Sequence, residues 1–439
     1  MFQSVFSQTG ASLRTNPPNA LSRTYNTLPG QLNVSDPSLG FVFVPGPQTT
    51  RHSITIASPE MEMPETRQWS LTYERKLPFD SSLRVNYNGN HIPNNLKYAL
   101  GNLPLSPLNG PVVVANHPNN APAAGFPDLR GKTIDRVAAD INCAGTGLPN
   151  LGTNATCPVV VPIADNEISL RVPRTNERRP DPRYGSNLIV SNDAKSWYDG
   201  IQIEWLKRLG DGLQITTSYT RSRSTDTTSE ATFVGAGDSN QQGPNSAYAK
   251  GYSRFHTPHR FSFNSTYLLP FMKDRRDILG YVLGGWQVSG VVRLTSGTPF
   301  TVSQTALDLD FDGFGEARPV LLDPSILGRK INDPATSKEL LPLSAFRPYA
   351  AGDSLDSVVG RNTFFGDGLQ TMDLGLYKNF DLSGTKSFSV RVEVFNLFNA
   401  VQYAYPQVSI STPATFGAIT GTNGLYIPRT VQLGFRFRY

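Results

Sequence analysis

Hydrophobic and polar residues alternate with a period of two along most of this chain. Trp69, Leu71 and Tyr73 stand against Gln68, Ser70, Thr72 and Glu74, and Leu83, Val85 and Tyr87 against Arg84, Asn86 and Asn88. The pattern returns in Ile201, Ile203 and Trp205, in Leu213, Ile215, Thr217 and Tyr219, and in Phe261, Phe263, Tyr267 and Leu269. It continues in Trp286, Val288, Val292 and Leu294, in Met372, Leu374 and Leu376, and in Phe388, Val390, Val392 and Val394. The last run is Val431, Leu433, Phe435, Phe437 and Tyr439. Side chains two apart share one face of a strand, so each run predicts a β-strand with one apolar and one polar face. Helical spacing fits none of them. No window of about 18 apolar residues is present, so no transmembrane helix is expected. Strands of a membrane barrel escape that test, because their alternation averages out in hydropathy.

The connections between these runs fall into two kinds. Those at 77–81, 209–212 and 381–386 are short, and 270–279 is a little longer. Those at about 91–196, 223–253, 297–370 and 399–428 are very long. Short and long alternate, which is the arrangement of short periplasmic turns and long outer loops in an outer-membrane barrel. With Tyr439 placed in the periplasm, every short turn falls on that side. A sandwich or propeller has no reason to sort its loops this way. The expected fold is therefore all-β: an antiparallel transmembrane β-barrel wall over residues 61–439, with long extracellular loops. Residues 1–60 read as a partial barrel segment or an irregular N-terminal stretch. The wall has about ten to twelve strands, about half of a 22-strand barrel, and is expected to be incomplete. Aromatic residues near the run ends, such as Trp69, Tyr87, Trp197, Tyr198, Tyr219, Tyr281, Trp286 and Phe380, suit girdles at the membrane boundaries.

Composition supports a wet interior. Only 38% of the 439 residues are hydrophobic and 17% charged, leaving much Ser, Thr, Asn, Gln, Gly and Pro for a polar lumen and long loops. The net charge of +5 is modest, and no Lys/Arg run is long enough to suggest nucleic acid as a partner. Charges on a lipid face are expensive. Glu74, Arg84, Glu204, Arg293, Asp373, Arg391, Glu393 and Arg436 are therefore expected to face the lumen, chiefly as cross-strand wall pairs.

Sites for chemistry are few. Neither a G-x-S-x-G nor a G-x-x-x-x-G-K motif occurs, and His256 and His259 are spaced wrongly to share a strand face. The chain does not read as an enzyme, and no cofactor is certain. Asp308, Asp310 and Asp312, followed by Gly313, resemble the first half of a calcium loop. The closing Glu of an EF-hand is replaced by Pro319, with Glu316 at the ninth position. A looser Ca2+ site in an outer loop stands there against a solvated acidic turn. Cys143 and Cys157 are candidates for a disulfide closing a short loop, against two free thiols.

Several segments resemble one family. They are Arg67-Gln-Trp-Ser-Leu-Thr-Tyr-Glu-Arg-Lys-Leu-Pro, Ser196-Trp-Tyr-Asp-Gly-Ile-Gln-Ile-Glu-Trp-Leu-Lys-Arg, His259-Arg-Phe-Ser-Phe and Gly285-Trp-Gln-Val-Ser-Gly. Arg391-Val-Glu-Val-Phe-Asn-Leu-Phe-Asn and the closing Pro428-Arg-Thr-Val-Gln-Leu-Gly-Phe-Arg-Phe-Arg-Tyr complete the series. In this order, over roughly 60–439, they resemble the barrel of Oar-like TonB-dependent receptors. The resemblance implies an outer-membrane receptor or transporter in a Gram-negative-type bacterium, with a signal peptide, a plug and a 22-strand barrel. No signal peptide, TonB box or plug is recognisable here, so the expectation is a fragment, coupled to the TonB system only through the missing plug. Outer-membrane lipid is one expected partner. The barrel-assembly machinery is another, reading Leu433, Phe435, Phe437 and Tyr439 by strand addition. The competing reading is a secreted or surface β-rich binding or adhesion protein without transport.

Overall fold

A computed structural model describes residues 54–105, 179–185, 187–210, 212–229, 249–272, 277–305, 318–350, 353–382, 386–424 and 426–439. It also describes residue 275 and a few positions between 112 and 134. Among the described residues, nine long strands follow one another as an antiparallel meander. They are β1 (Arg67–Leu77), β2 (Ser81–Gly101), β3 (Asn187–Gly210), β4 (Leu213–Asp226) and β5 (His259–Leu268), then β6 (Trp286–Thr295), β7 (Leu369–Asp381), β8 (Ser387–Phe395) and β9 (Thr430–Arg438). Two short strands, Thr55–Ala57 beside β3 and Gly251–Tyr252 beside β4, bring the sheet to eleven. Strands β1 and β9 are its edges and do not pair with each other, so the wall is open among the described residues.

Register turns the alternation of each strand into a property of the whole sheet. Tyr73, Val85, Ile203, Tyr219, Phe261 and Leu294 are successive cross-strand partners. Leu213, Tyr267, Val288, Leu376, Val392 and Leu433 form a second apolar row. These rows are not packed inside the protein: Leu71 is 72% and Phe435 67% exposed. A continuous apolar sheet face left uncovered marks a surface that meets something other than water.

The height of this face can be read from β3. Its apolar positions Ile201, Ile203 and Trp205 are bounded by Asp199 at one end and Lys207 at the other, all on the same face. That step spans ~26 Å along the strand at ~3.3 Å per residue, or roughly 20 Å along the membrane normal at a tilt of about 40°. An outer-membrane barrel carries an apolar band about 25 Å tall. At the outer end, Trp69 Nε1 donates to the Tyr87 hydroxyl, which donates to Asp199 Oδ1 at 2.7 Å. Rings with their polar tips satisfied in this way suit a boundary between oil and water. Tyr198, expected among these rings, instead pairs with Asn90 and Ser224 on the polar face.

One expected loop proves to be strand at both of its ends. β2 runs on to Gly101 and β3 begins at Asn187, where loop was expected from 91 to 196. Their outer ends pair through irregular register at Ile92, Asn95 and Lys97. Alternation fades there because these strand ends extend beyond the apolar band and no longer need an apolar outer face. Their packing comes from a local cluster of Leu96, Tyr98 and Val190.

Among the described residues, the largest buried core lies outside the sheet. Segments from the expected loops 297–370 and 399–428 fold together around Phe300, Val302, Ile331, Leu341, Phe364 and Phe416. Short turns build this cap. Asp323 accepts from Ser325 N at 2.9 Å before the turn Pro324–Ile326, and Ser354 caps Leu355–Ser357. Two small ladders, Pro299–Phe300 with Phe364–Phe365 and Val320–Leu321 with Phe346–Arg347, tie the turns together. Arg347 grips Asp353 through two bonds of 2.6 and 2.7 Å and holds its carboxyl below the usual carboxylate range. The cap sits at the long-loop end, between the end of β6 and the starts of β7 and β9.

Candidate functional site

Opposite the apolar rows, the sheet carries a polar face. One of its rows runs Glu74, Arg84, Glu204, Ser218, Ser262, Arg293 and Thr371 across seven strands. Arg84 lies 3.1 Å from Glu74 and 3.9 Å from Glu204. The Ser218 and Ser262 hydroxyls bond at 2.8 Å. These charges are half exposed, so each pair contributes only ~0–1 kcal/mol to stability. They make the surface wet and ionic more than they hold it together.

The other charged residues expected in the lumen share that face without joining the ladder. Asp373 lies opposite Val291 and accepts the Asn396 backbone N–H at 2.9 Å. Glu393 accepts from the Tyr377 hydroxyl at 2.7 Å, and Arg391 stacks over the Tyr377 ring. Arg436 lies opposite Ser389. The structure thus brings Glu74, Arg84 and Glu204 together, sets Arg391 and Glu393 around one tyrosine, and leaves Arg293, Asp373 and Arg436 apart. Leu433, Phe435 and Phe437 lie on the apolar face of the edge strand β9, and Tyr439 follows its end. Asp308, Asp310, Asp312, Cys143 and Cys157 lie outside the described residues. Among the described residues, no three His, Cys, Asp or Glu side chains gather to hold a metal ion.

A latch that the sequence did not announce joins the cap to the wall. Arg361 of the cap reaches Asp226 at the end of β4, their side chains 1% and 5% exposed. The guanidinium also donates to the Asp226 carbonyl at 2.6 Å, to the Ala249 carbonyl at 2.8 Å and to the Ser229 hydroxyl at 3.1 Å. One side chain so anchors both ends of the expected loop 223–253. The adjacent Asn362, fully buried with a positive φ of 56°, extends the lock. Its Nδ2 donates to the Tyr252 carbonyl at 2.8 Å and its backbone N–H to Thr301 Oγ1, also at 2.8 Å. Gly251 is needed opposite, since a Cβ there would run into the Arg361 carbonyl. No signal in sequence marks a pair 135 residues apart.

His256 and His259 part company, as their spacing required. His259 Nδ1 pairs with the Tyr219 hydroxyl at 2.7 Å. His256 is buried, stacks on Tyr252 at 4.5 Å and accepts the Ser224 backbone N–H on Nδ1. Burial, with Arg223 and His259 nearby, pushes its pKa down to about 4. In the unfolded chain the ring titrates near 6.5, so between these values the unfolded state holds more protons. The contribution of His256 is complete above about pH 6.5 and is lost as pH falls toward 4. We expect the unfolding midpoint of the chain to drop over that window and His256→Phe to flatten the drop. An equal slope in both proteins would remove His256 from the account.

The sequence matches the family model of an outer membrane beta barrel domain over residues 1–432. No curated protein matches it. Among solved structures, it is similar to the outer membrane transporter YddB from Escherichia coli, with 8% identity and a TM-score of 0.40 over 88% of this chain and 34% of that one. It is also similar to pyoverdine-bound FpvA of P. aeruginosa, with 10% identity and a TM-score of 0.34 over 85% of this chain and 27% of that one. For the FrpB iron transporter from Neisseria meningitidis the values are 9% and 0.35, over 87% of this chain and 32% of that one. The chain spans about a third or less of the length of these structures. Matched over nearly its whole length and folded as an antiparallel wall with one apolar face, the chain belongs to the outer membrane beta barrel domain family and resides in the outer membrane.

Proposed function

We infer that this chain is part of the wall of a receptor-transporter barrel, resembling the carboxy-terminal portion of an Oar-like TonB-dependent receptor, and that it serves uptake of a large substrate. The observation that carries this reading is the registered polar row from Glu74 to Arg293 behind an apolar outer face. Charge at mid-bilayer depth is costly on a lipid face, so the polar face turns to the lumen. Glu74, Arg84, Glu204, Arg293, Asp373, Arg391, Glu393 and Arg436 then line the passage. The cap screens its outer mouth, held there by Arg361.

The open edges fit a wall completed by further strands. Unpaired backbone N–H and C=O groups in hydrocarbon cost several kcal/mol each, so β1 and β9 need neighbours in the membrane. In this reading the rest of the barrel and a plug belong to a longer protein, and the TonB system drives uptake through that plug. The terminal strand, with Leu433, Phe435, Phe437 and Tyr439, is what the barrel-assembly machinery adds to its own open edge.

The intact mass of the native product in purified outer membranes tests this. We expect a mass well above 48.0 kDa, with the additional sequence containing a plug. A product of 48.0 kDa would mean a wall that stands alone or assembles from copies, and would end the active-transport reading.

A further inference from the structure

The connection between β5 and β6, on the short-turn side, carries a six-residue helix, α1 (Ile278–Leu283). Asp277 caps its start, accepting from Gly280 N at 2.9 Å while Arg275 holds its carboxylate at 2.7 Å. Gly280 and Gly284 close the turn tightly, since a Cβ at either would strike the backbone of Arg275 or Met272. So short a helix draws little stability from its own hydrogen bonds. It is held by the sheet instead. Tyr281 packs on Phe380 at 5.5 Å and donates to the Asp381 carbonyl at 3.0 Å, while Trp286 Nε1 donates to the Val282 carbonyl at 3.1 Å.

Phe380 and Trp286 both lie on the apolar face, so α1 folds back over the side of the wall that meets lipid. What it presents there is oily. Phe271, Ile278, Leu279, Val282 and Leu283 are all exposed, Ile278 by 82%. This patch is continuous with the aromatic series Tyr281, Phe380, Phe388 and Phe435, whose rings meet at 5.5 to 6.2 Å, tilted at Tyr281 and stacked beyond it, at the inner rim of the band. The same fold disposes of an awkward charge. Lys378 stands on the apolar face between Trp286 and Val390. Its ammonium lies 5.0 Å over the Phe380 ring and donates to the Gly284 carbonyl at the end of α1, which leaves it 5% exposed.

We propose that α1 is an interfacial anchor that lies in the headgroup–acyl boundary of the periplasmic leaflet, its apolar side chains in lipid and its C-terminal carbonyl sheathing Lys378. Lipid is the occupant because the patch continues a lipid-facing surface at the level of its aromatic rim, where short apolar helices with polar flanks settle. The proposal rests on the reading of the sheet as a membrane wall with its short turns in the periplasm.

The test separates the two ideas. The full chain, with Cys143→Ser and Cys157→Ser, is reconstituted in phosphatidylethanolamine–phosphatidylglycerol vesicles. A nitroxide is placed by Leu279→Cys or, as reference, by Leu433→Cys. Collision with oxygen and with a water-soluble nickel chelate gives depth. Both labels are expected to favour oxygen, with Leu279 roughly 5–10 Å into the boundary region. A nickel-accessible Leu279 beside a lipid-embedded Leu433 overturns the anchor and leaves the wall standing. Aqueous labels at both positions overturn both. A Leu279 label shielded from both collision partners means protein covers α1, and also overturns the proposal. The unmodified chain gives a second measurement, with a phospholipid photoactivatable near its headgroup. Crosslinks are expected within residues 271–283, and crosslinks confined to β9 would refute the anchor.

Discussion

Arg361→Ala is expected to release the cap from the wall. Removing one partner of a buried ion pair leaves the other charge desolvated and uncompensated, which costs about 3–5 kcal/mol. Here the loss is wider than one pair, because the Ala249 carbonyl and the Ser229 hydroxyl lose their donor at the same time. The damage should be local. The cap keeps its own core of Phe300, Val302, Leu341 and Phe416, and the wall keeps its ladders. Backbone hydrogen exchange at 226–229 and 249–256 should therefore accelerate by roughly 10²–10³-fold, while amides within β5 and β6 stay protected. The double change Arg361→Met with Asp226→Leu should recover much of the protection, since a buried pair replaced by apolar groups of similar size is often neutral. Exchange that is unaltered in Arg361→Ala would show that the latch holds nothing.

The second large effect concerns the two faces of β3. Ile203 sits midway down the apolar band between Val85 and Tyr219, and its chain neighbour Gln202 points the other way, between Asn86 and Thr220. Ile203→Arg is expected to destabilise the membrane-inserted chain by about 2–4 kcal/mol, the cost of a cation at the lipid midplane. Gln202→Arg, one position away, should cost close to nothing. Denaturant unfolding from vesicles measures both. Similar losses for the two variants would contradict the assignment of lipid to one face and water to the other.

The wall was legible in the sequence because its physics is local. A strand that separates two solvents must alternate, and each of the nine long strands announced itself by residues two apart, from Trp69, Leu71 and Tyr73 to Leu433, Phe435 and Phe437. Pairing followed from order, since successive strands of a meander are neighbours. The cap was illegible for the opposite reason. Phe300, Leu341, Phe364 and Phe416 meet from two separate expected loops, 297–370 and 399–428, with no period and only short turns between them. They read as loop until they are folded. The latch was hidden further still, for nothing about Arg361 or Asp226 distinguishes them from other charged loop residues until both lose their water. The helix α1 is too short to show a helical period, and its start lay in what read as the connection 270–279. Of the candidate sites, the charged residues of the polar face could be named from alternation alone. Which of them touch depended on register, and that turned on bulges and turns the alternation does not encode.

Because the whole sheet obeys a period of two, its strands can change by substitution far more freely than by length. One residue lost from the middle of β4 would swing every later side chain of that strand to the other solvent, putting Arg221 where Thr220 now stands and serines into lipid. Changes in strand length that survive must come in pairs or be absorbed by a bulge, as at Ile92 and Asn95 above the membrane. The loops answer to no such parity. Descendants of this chain should therefore hold their strands in step while their caps drift apart in size and sequence, so that what the mouth admits diverges under a wall that stays the same.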